Sequence, residues 1–247
     1  MATKPLKFLV FQHIACEHPG TFRDYFAADG VEWDAVELDE GEAIPELEGY
    51  DALWVMGGPM DTWQEDDNPW LVAEKAAIRR AVVDLKMPYM GLCLGHQLLA
   101  DALGGKVGPS AQPEIGILEV HRTDAGKQSP FLKGIPDTVW CLQWHSAEVL
   151  QAPEGASVLV STPACRVQAM SWGARAFSIQ YHVEIDETTV PMWGAIPEYA
   201  EALEKAAGAG ALELFQAEAD ARMPALKADS AKLYENFMTA CGFRDAA

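Results

Sequence analysis

The chain has 247 residues, 49% of them apolar, and its 37 acidic and 18 basic side chains leave a net charge of −19, so a sizeable α/β core is within reach while the negative field argues against a phosphate-backbone, nucleic-acid partner. Five cysteines at wide spacings, with no Cys-x-x-Cys pair, fit neither a disulfide framework nor a zinc ribbon. The apolar run at residues 6–11 is too short for a signal h-region, and no stretch reaches the roughly 18 apolar residues that span a bilayer, so the expectation is a soluble, cytoplasmic protein with reduced thiols.

Short apolar runs alternate with helical patterns along the chain. Residues 6–12 read as a buried strand, 20–29 as a short helix, 31–38 as an alternating strand and 51–56 as a third strand closed by Gly57-Gly58-Pro59. Asn68-Pro69-Trp70 reads as a helix start, with Asn68 as cap and Pro69 at the first position. Residues 88–92 form the next expected strand, and 94–103 a helix stopped by Gly104-Gly105. Shorter β-like runs follow at 115–121, 138–142, 157–160, 167–172 and 176–182. From Glu187 the pattern is helical, with breaks expected near Pro197, Gly208-Ala209-Gly210 and Pro224. Strand–helix alternation implies an open, mostly parallel sheet with helices on both faces. The expected organisation is a single domain over residues 1–247 with a helical appendage from about 187.

Gly91-Leu92-Cys93-Leu94-Gly95 sits between an expected strand and an expected helix. Glycine two residues either side of a nucleophile is what a sharp strand-to-helix elbow requires. Such a turn strains the nucleophile's backbone and lifts its side chain to the carboxyl edge of the sheet. The free N–H groups of the following helix then favour thiolate, the reactive form. Cys93 is therefore the candidate nucleophile; the other four cysteines lack this context.

A thiol nucleophile needs a proton acceptor, and the acceptor needs an orienting group. Of six histidines, His182 stands at the exit of the expected strand 176–182, two residues before Glu184. Residues two apart in an extended segment face the same side, so Glu184 can meet the imidazole. Spacing alone leaves a structural histidine equally open. Cys16-Glu17-His18 reads as a loop with incidental polar residues rather than a metal site, and neither a phosphate-binding loop nor any other cofactor or metal motif is present. The eight tryptophans read mostly as core or rim material.

Three blocks together carry a resemblance: Gly57-Gly58-Pro59, then Gly91-Leu92-Cys93-Leu94-Gly95-His96-Gln97, then Gln180-Tyr181-His182-Val183-Glu184. In order and spacing they resemble the class I (triad-type) glutamine amidotransferases. Gln143-Trp144-His145-Ser146 and Ser161-Thr162-Pro163-Ala164-Cys165 resemble stand-alone members related to the glutaminase half of GMP synthase; the likeness spans roughly residues 5–190. The resemblance implies a flavodoxin-like fold and hydrolysis of the glutamine γ-amide through a thioester on Cys93. It implies His182 as proton shuttle, Glu184 as its orienter, the N–H groups of Gly58 and Leu94 as oxyanion hole, and Gln97 and Ser146 at the amino-acid end of the substrate. It implies no cofactor, a separate ammonia-accepting synthase subunit as possible partner, and a place near the site for the segments of Trp63, Trp70 and Trp144, one of which could line the pocket. A γ-glutamyl peptidase and a non-catalytic regulatory subunit are the alternatives. The family's usual proline between histidine and glutamate is Val183 here.

Overall fold

The computed structural model describes residues 4–245. Strand β1 (Lys7–Gln12) is flanked by β2 (Glu32–Glu37) on one side and β3 (Ala52–Val55) on the other. Helix α1 (Phe22–Asp29) connects β1 to β2. Helix α2 (Trp70–Arg79) and a π-helical turn over Arg80–Asp84 lead to β4 (Tyr89–Leu92), and α3 (Leu94–Ala102) follows directly. Two long strands, β5 (Lys106–Arg122) and β6 (Thr138–Gln151), enclose the short helix α4 (Asp124–Gln128), before β7 (Ala156–Ser161), β8 (Ala169–Trp172) and β9 (Ala176–Ile179). Helices α5 (Thr189–Trp193), α6 (Pro197–Ala207) and α7 (Ala211–Ala240) end the described chain.

One sheet runs in the order β2-β1-β3-β4-β9-β8-β7-β5-β6. The five strands from β2 to β9 pair in parallel, and the rest continue the sheet antiparallel. β3, β4 and β9 are buried at every position, as strands covered on both faces must be. Alternation then sorts the side chains: Phe8, Val10 and Trp54 face one cluster with α1 and α7, while Leu9, Phe11 and Val55 face another with α2 and α3. A third cluster joins Ile117, Leu142 and Trp144 of the long strands to Trp193, Tyr199 and Phe215 of the C-terminal helices. Among the described residues no helix is long and apolar enough to cross a membrane.

Three local expectations are corrected. Asn68 does not cap α2: its side chain donates to the Gln64 carbonyl at 3.3 Å, and the residue before the helix is Pro69. Pro224 does not break the last helix but lies inside α7, whose buried Met223 and Leu226 hold it across the lost backbone bond. β5 and β6 run far beyond 115–121 and 138–142, because the extensions pair with each other through a register shift at Pro109/Glu114 and carry few buried apolar positions to reveal them.

Candidate active site

The nucleophile elbow forms at the carboxyl end of β4. Cys93 has φ 50° and ψ −102°, a region that costs a non-glycine residue about 1–3 kcal/mol. The flanking glycines are required by contact. A Cβ on Gly95 would lie 2.1 Å from the Val55 carbonyl oxygen of β3, and one on Gly91 would lie 2.7 Å from the Gly95 oxygen. The Cys93 N–H donates to Ile179 of β9 at 2.9 Å, which ties the turn to the next strand.

β9 carries the chain to His182. Its N–H donates to the Leu142 carbonyl of β6 at 2.8 Å, and its Nδ1 meets Glu184 Oε1 at 2.6 Å. The second Glu184 oxygen accepts the Val183 N–H at 2.8 Å. A proline has no such proton to give, so valine at this position supplies an anchor for Glu184. With Nδ1 occupied, Nε2 is the atom left to face Cys93, and the imidazole and the thiol are near enough for each to shift the other's proton affinity. Gln180 adds a weak donor to the sulfur at 3.5 Å. Trp193 of α5 packs edge-on against the imidazole at 4.4 Å between centroids.

The electrostatics follow from burial. Loss of solvent pushes the Cys93 thiol up, against the opposing pull of His182. The helix N-terminus and His182 favour the thiolate, and burial opposes them. Burial also pulls the His182 imidazole down, but Glu184 and then the Cys93 sulfur outweigh it and hold the imidazole well above its ordinary value.

Cys93, Leu94, Gln97, Gly58 and Ser146 all line one cavity of about 190 Å³. Gln97 is already engaged: its amide nitrogen donates to Ala147 O and Gln180 Oε1, each at 3.1 Å. Ser146 is exposed at the mouth. Among the described residues neither the Gly58 N–H nor the Leu94 N–H has a protein acceptor; Leu94 is the first residue of α3, where helix N–H groups point free. Of the three tryptophans singled out, Trp144 lines the cavity, Trp70 stacks on His13, and Trp63 is exposed. His96 is fully buried between Ser178 and Val167 and faces away from the sulfur's chemistry.

Sequence reasoning missed the loop after β1. Glu17, expected to be incidental, is buried; it accepts from Tyr199 of α6, and burial pushes its carboxyl up against the opposing His182 charge. His13 is likewise buried, between Gly57 O and Glu74. Only pairing of β1 with β3, which sets Phe11 beside Val55, brings this loop to Gly57. Tyr199, Glu198 and Ala202 make α6 one wall of the cavity.

An elbow cysteine and two free amides on one small cavity, with a carboxylate-held histidine buried behind the cysteine, are the parts of a cysteine-dependent amide hydrolase. The profile of the family Glutamine amidotransferase class-I matches residues 21–191, and the chain belongs to that family. GMP synthase [glutamine-hydrolyzing] of Aeropyrum pernix is 39% identical over 155 residues, which cover 62% of this chain but only 28% of that one. Gamma-glutamyl peptidase 5 of Arabidopsis thaliana is 30% identical over 67% of this chain and 67% of its own. A glutamine amidotransferase crystal structure from Thermotoga maritima superimposes with a TM-score of 0.84 at 26% identity, over 96% of this chain and all of that one.

Proposed function

We propose that the protein hydrolyses the γ-amide of glutamine through a thioester on Cys93. The carrying observation is the Glu184 contact to His182 Nδ1 at 2.6 Å, with the other side of that imidazole left to act on the strained elbow thiol of Cys93. The active form is the one in which the Cys93–His182 pair holds a single proton. As Sγ attacks the amide carbon, that proton resides on His182 Nε2, with the imidazolium stabilised by Glu184. The carbonyl oxygen becomes an oxyanion, received by the N–H groups of Gly58 and Leu94; one such donor is worth about 3–4 kcal/mol of barrier. His182 returns its proton to the departing ammonia. Water, deprotonated by the same imidazole, then cleaves the thioester to glutamate.

Gln97 and Ser146 line the end of the cavity assigned to the amino-acid moiety. The cavity, about 190 Å³, is smaller than the roughly 300–1,000 Å³ of sites for larger ligands, which favours glutamine over a bulky γ-glutamyl conjugate. The likeness to a glutamine-hydrolysing GMP synthase of Aeropyrum pernix supports release of ammonia toward an acceptor, which a separate synthase subunit would supply. The second reading, a γ-glutamyl peptidase, rests on the likeness to the Arabidopsis thaliana protein.

Glutamate release from glutamine and from a panel of γ-glutamyl dipeptides, each with wild type and Cys93→Ala, tests the proposal. Glutamine should be turned over by wild type and at least a thousandfold less by the variant. Faster turnover of dipeptides than of glutamine would replace this reading with the peptidase one, and release from no substrate would overturn both.

A further inference from the structure

His13 and Glu74 are both fully buried and outside the triad. His13 Nδ1 lies 2.7 Å from the Gly57 carbonyl, and Nε2 lies 2.9 Å from Glu74 Oε1. The Gly57 oxygen can only accept, so Nδ1 carries the hydrogen of that contact, and Nε2 faces the Glu74 carboxyl. The Glu74 charge and hydrogen bond outweigh the burial that would otherwise neutralise the ring. Trp70 stacks on the ring, with centroids 5.4 Å apart and planes 19° apart, so its orientation is fixed.

Buried titratable pairs rarely repay their desolvation in stability, and this one grips a particular peptide. Gly57-Gly58 is the segment with the least intrinsic preference for one peptide orientation. It is also crowded: a Cβ on Gly57 would strike Glu17 Oε2 at 1.7 Å, and one on Gly58 would meet His13 Cβ at 2.8 Å and Leu94 Cδ2 at 2.9 Å. In a trans peptide the C=O of one residue and the N–H of the next point in opposite directions. Fixing the Gly57 oxygen on the His13 side therefore sends the Gly58 N–H to the other side. Gly58 lines the cavity beside Cys93 and Leu94.

We propose that His13, itself held by Glu74, is a positioning residue that locks the Gly57–Gly58 peptide with the Gly58 N–H aimed at the reacting carbonyl oxygen. The inference rests on the oxyanion role of that amide. His13 touches no substrate; it determines whether the hole exists before substrate arrives.

Two substitutions separate this role from a structural one. In His13→Asn the amide nitrogen falls near the place of Nδ1, keeping the Gly57 bond and losing Glu74. In His13→Gln it falls near the place of Nε2, keeping Glu74 and losing Gly57. Each forfeits one buried hydrogen bond, so their melting temperatures should fall comparably. The rates should diverge: His13→Gln should lower kcat for glutamate release by about 10²–10³-fold with KM little changed, while His13→Asn should stay within about tenfold of wild type. Alkylation of Cys93 by iodoacetamide needs no oxyanion hole and should proceed equally in all three. Equal kcat losses in the two variants, or alkylation falling in step with kcat, would overturn the proposal. If His13→Gln does not fold, His13→Ala takes its place, and an undiminished kcat there overturns the proposal equally. Should wild type hydrolyse no γ-glutamyl substrate, the hydrolase reading fails on its own, and crystal structures decide for His13: a Gly57–Gly58 peptide rotated in His13→Gln and retained in His13→Asn upholds the lock, and an unrotated peptide in both refutes it.

Discussion

His96 gives a stability prediction that can be worked through from its surroundings. Its Nε2–H donates to the Val167 carbonyl at 2.9 Å, so Nδ1 is the acceptor for Ser178 Oγ at 2.8 Å. Burial is the main reason its protonation falls from the ordinary 6.5 to about 4. The folded value lies below the unfolded one, so the stability tied to the neutral ring is complete above pH 6.5 and drains away as pH falls toward 4. Between pH 7.5 and 5 the loss comes to about 2 kcal/mol for one group with these two values. Stopping at pH 5 keeps the protein above its isoelectric point of about 4.6, where solubility is lowest. Urea unfolding followed by tryptophan fluorescence at both pH values measures the change. His96→Gln supplies the reference: its amide can keep the Val167 bond but does not titrate, and carboxylate effects common to both proteins cancel in the difference. Wild type should lose about 2 kcal/mol more than His96→Gln. Equal losses in the two proteins would show that the His96 ring is not held neutral by its burial.

Two further perturbations probe the triad and the elbow. Glu184→Gln should cut kcat at least a hundredfold and shift the acid limb of the kcat/KM profile to lower pH: burial lowers the His182 imidazole, and Glu184 is the strongest of the groups that raise it. A limb that stays in place in the pH–rate profile would remove Glu184 from that role. Gly95→Ala drives a Cβ to 2.1 Å from backbone oxygen in β3 and should cost about 3 kcal/mol in urea unfolding, whereas Gly49→Ala, with open space around it, should cost under about 1 kcal/mol; similar costs at both positions would contradict the crowding.

What could be read from the sequence was what local geometry dictates. The elbow is five consecutive residues, and the His182–Glu184 contact follows from alternation in an extended segment, so both were visible without tertiary structure. The loop from His13 to Glu17 was not. His13 reaches Gly57 across 44 residues and Glu74 across 61, and the contacts exist only because β1 and β3 are neighbours in the sheet. The C-terminal helices were equally opaque. Their amphipathic pattern says that one face is covered but not by what, and only packing sets Trp193 against His182 and Tyr199 against Glu17. Val183 carried the opposite lesson: in sequence it is a departure from the family's proline, while in the fold its N–H is the second anchor of Glu184.

Four energetically unfavourable features of this chain fall at one place. Cys93 has a left-handed φ; His13 and Glu74 meet with no solvent around them; Glu17 is a buried carboxyl with one oxygen lacking a donor among the described residues; His182 and Glu184 form a second buried pair. Each costs stability taken alone, and a core assembled only to be stable would contain none of them. All gather at the carboxyl ends of β1, β3, β4 and β9, the edge where an open parallel sheet leaves room for a ligand. On the proposed mechanism five of these residues are accounted for by a thiol that must lose its proton, an imidazole that must carry it and a peptide that must hold one orientation. Glu17 is held by Tyr199 of α6 and stands against Gly57, so its burial links the C-terminal wall of the cavity to the loop that carries the oxyanion amide.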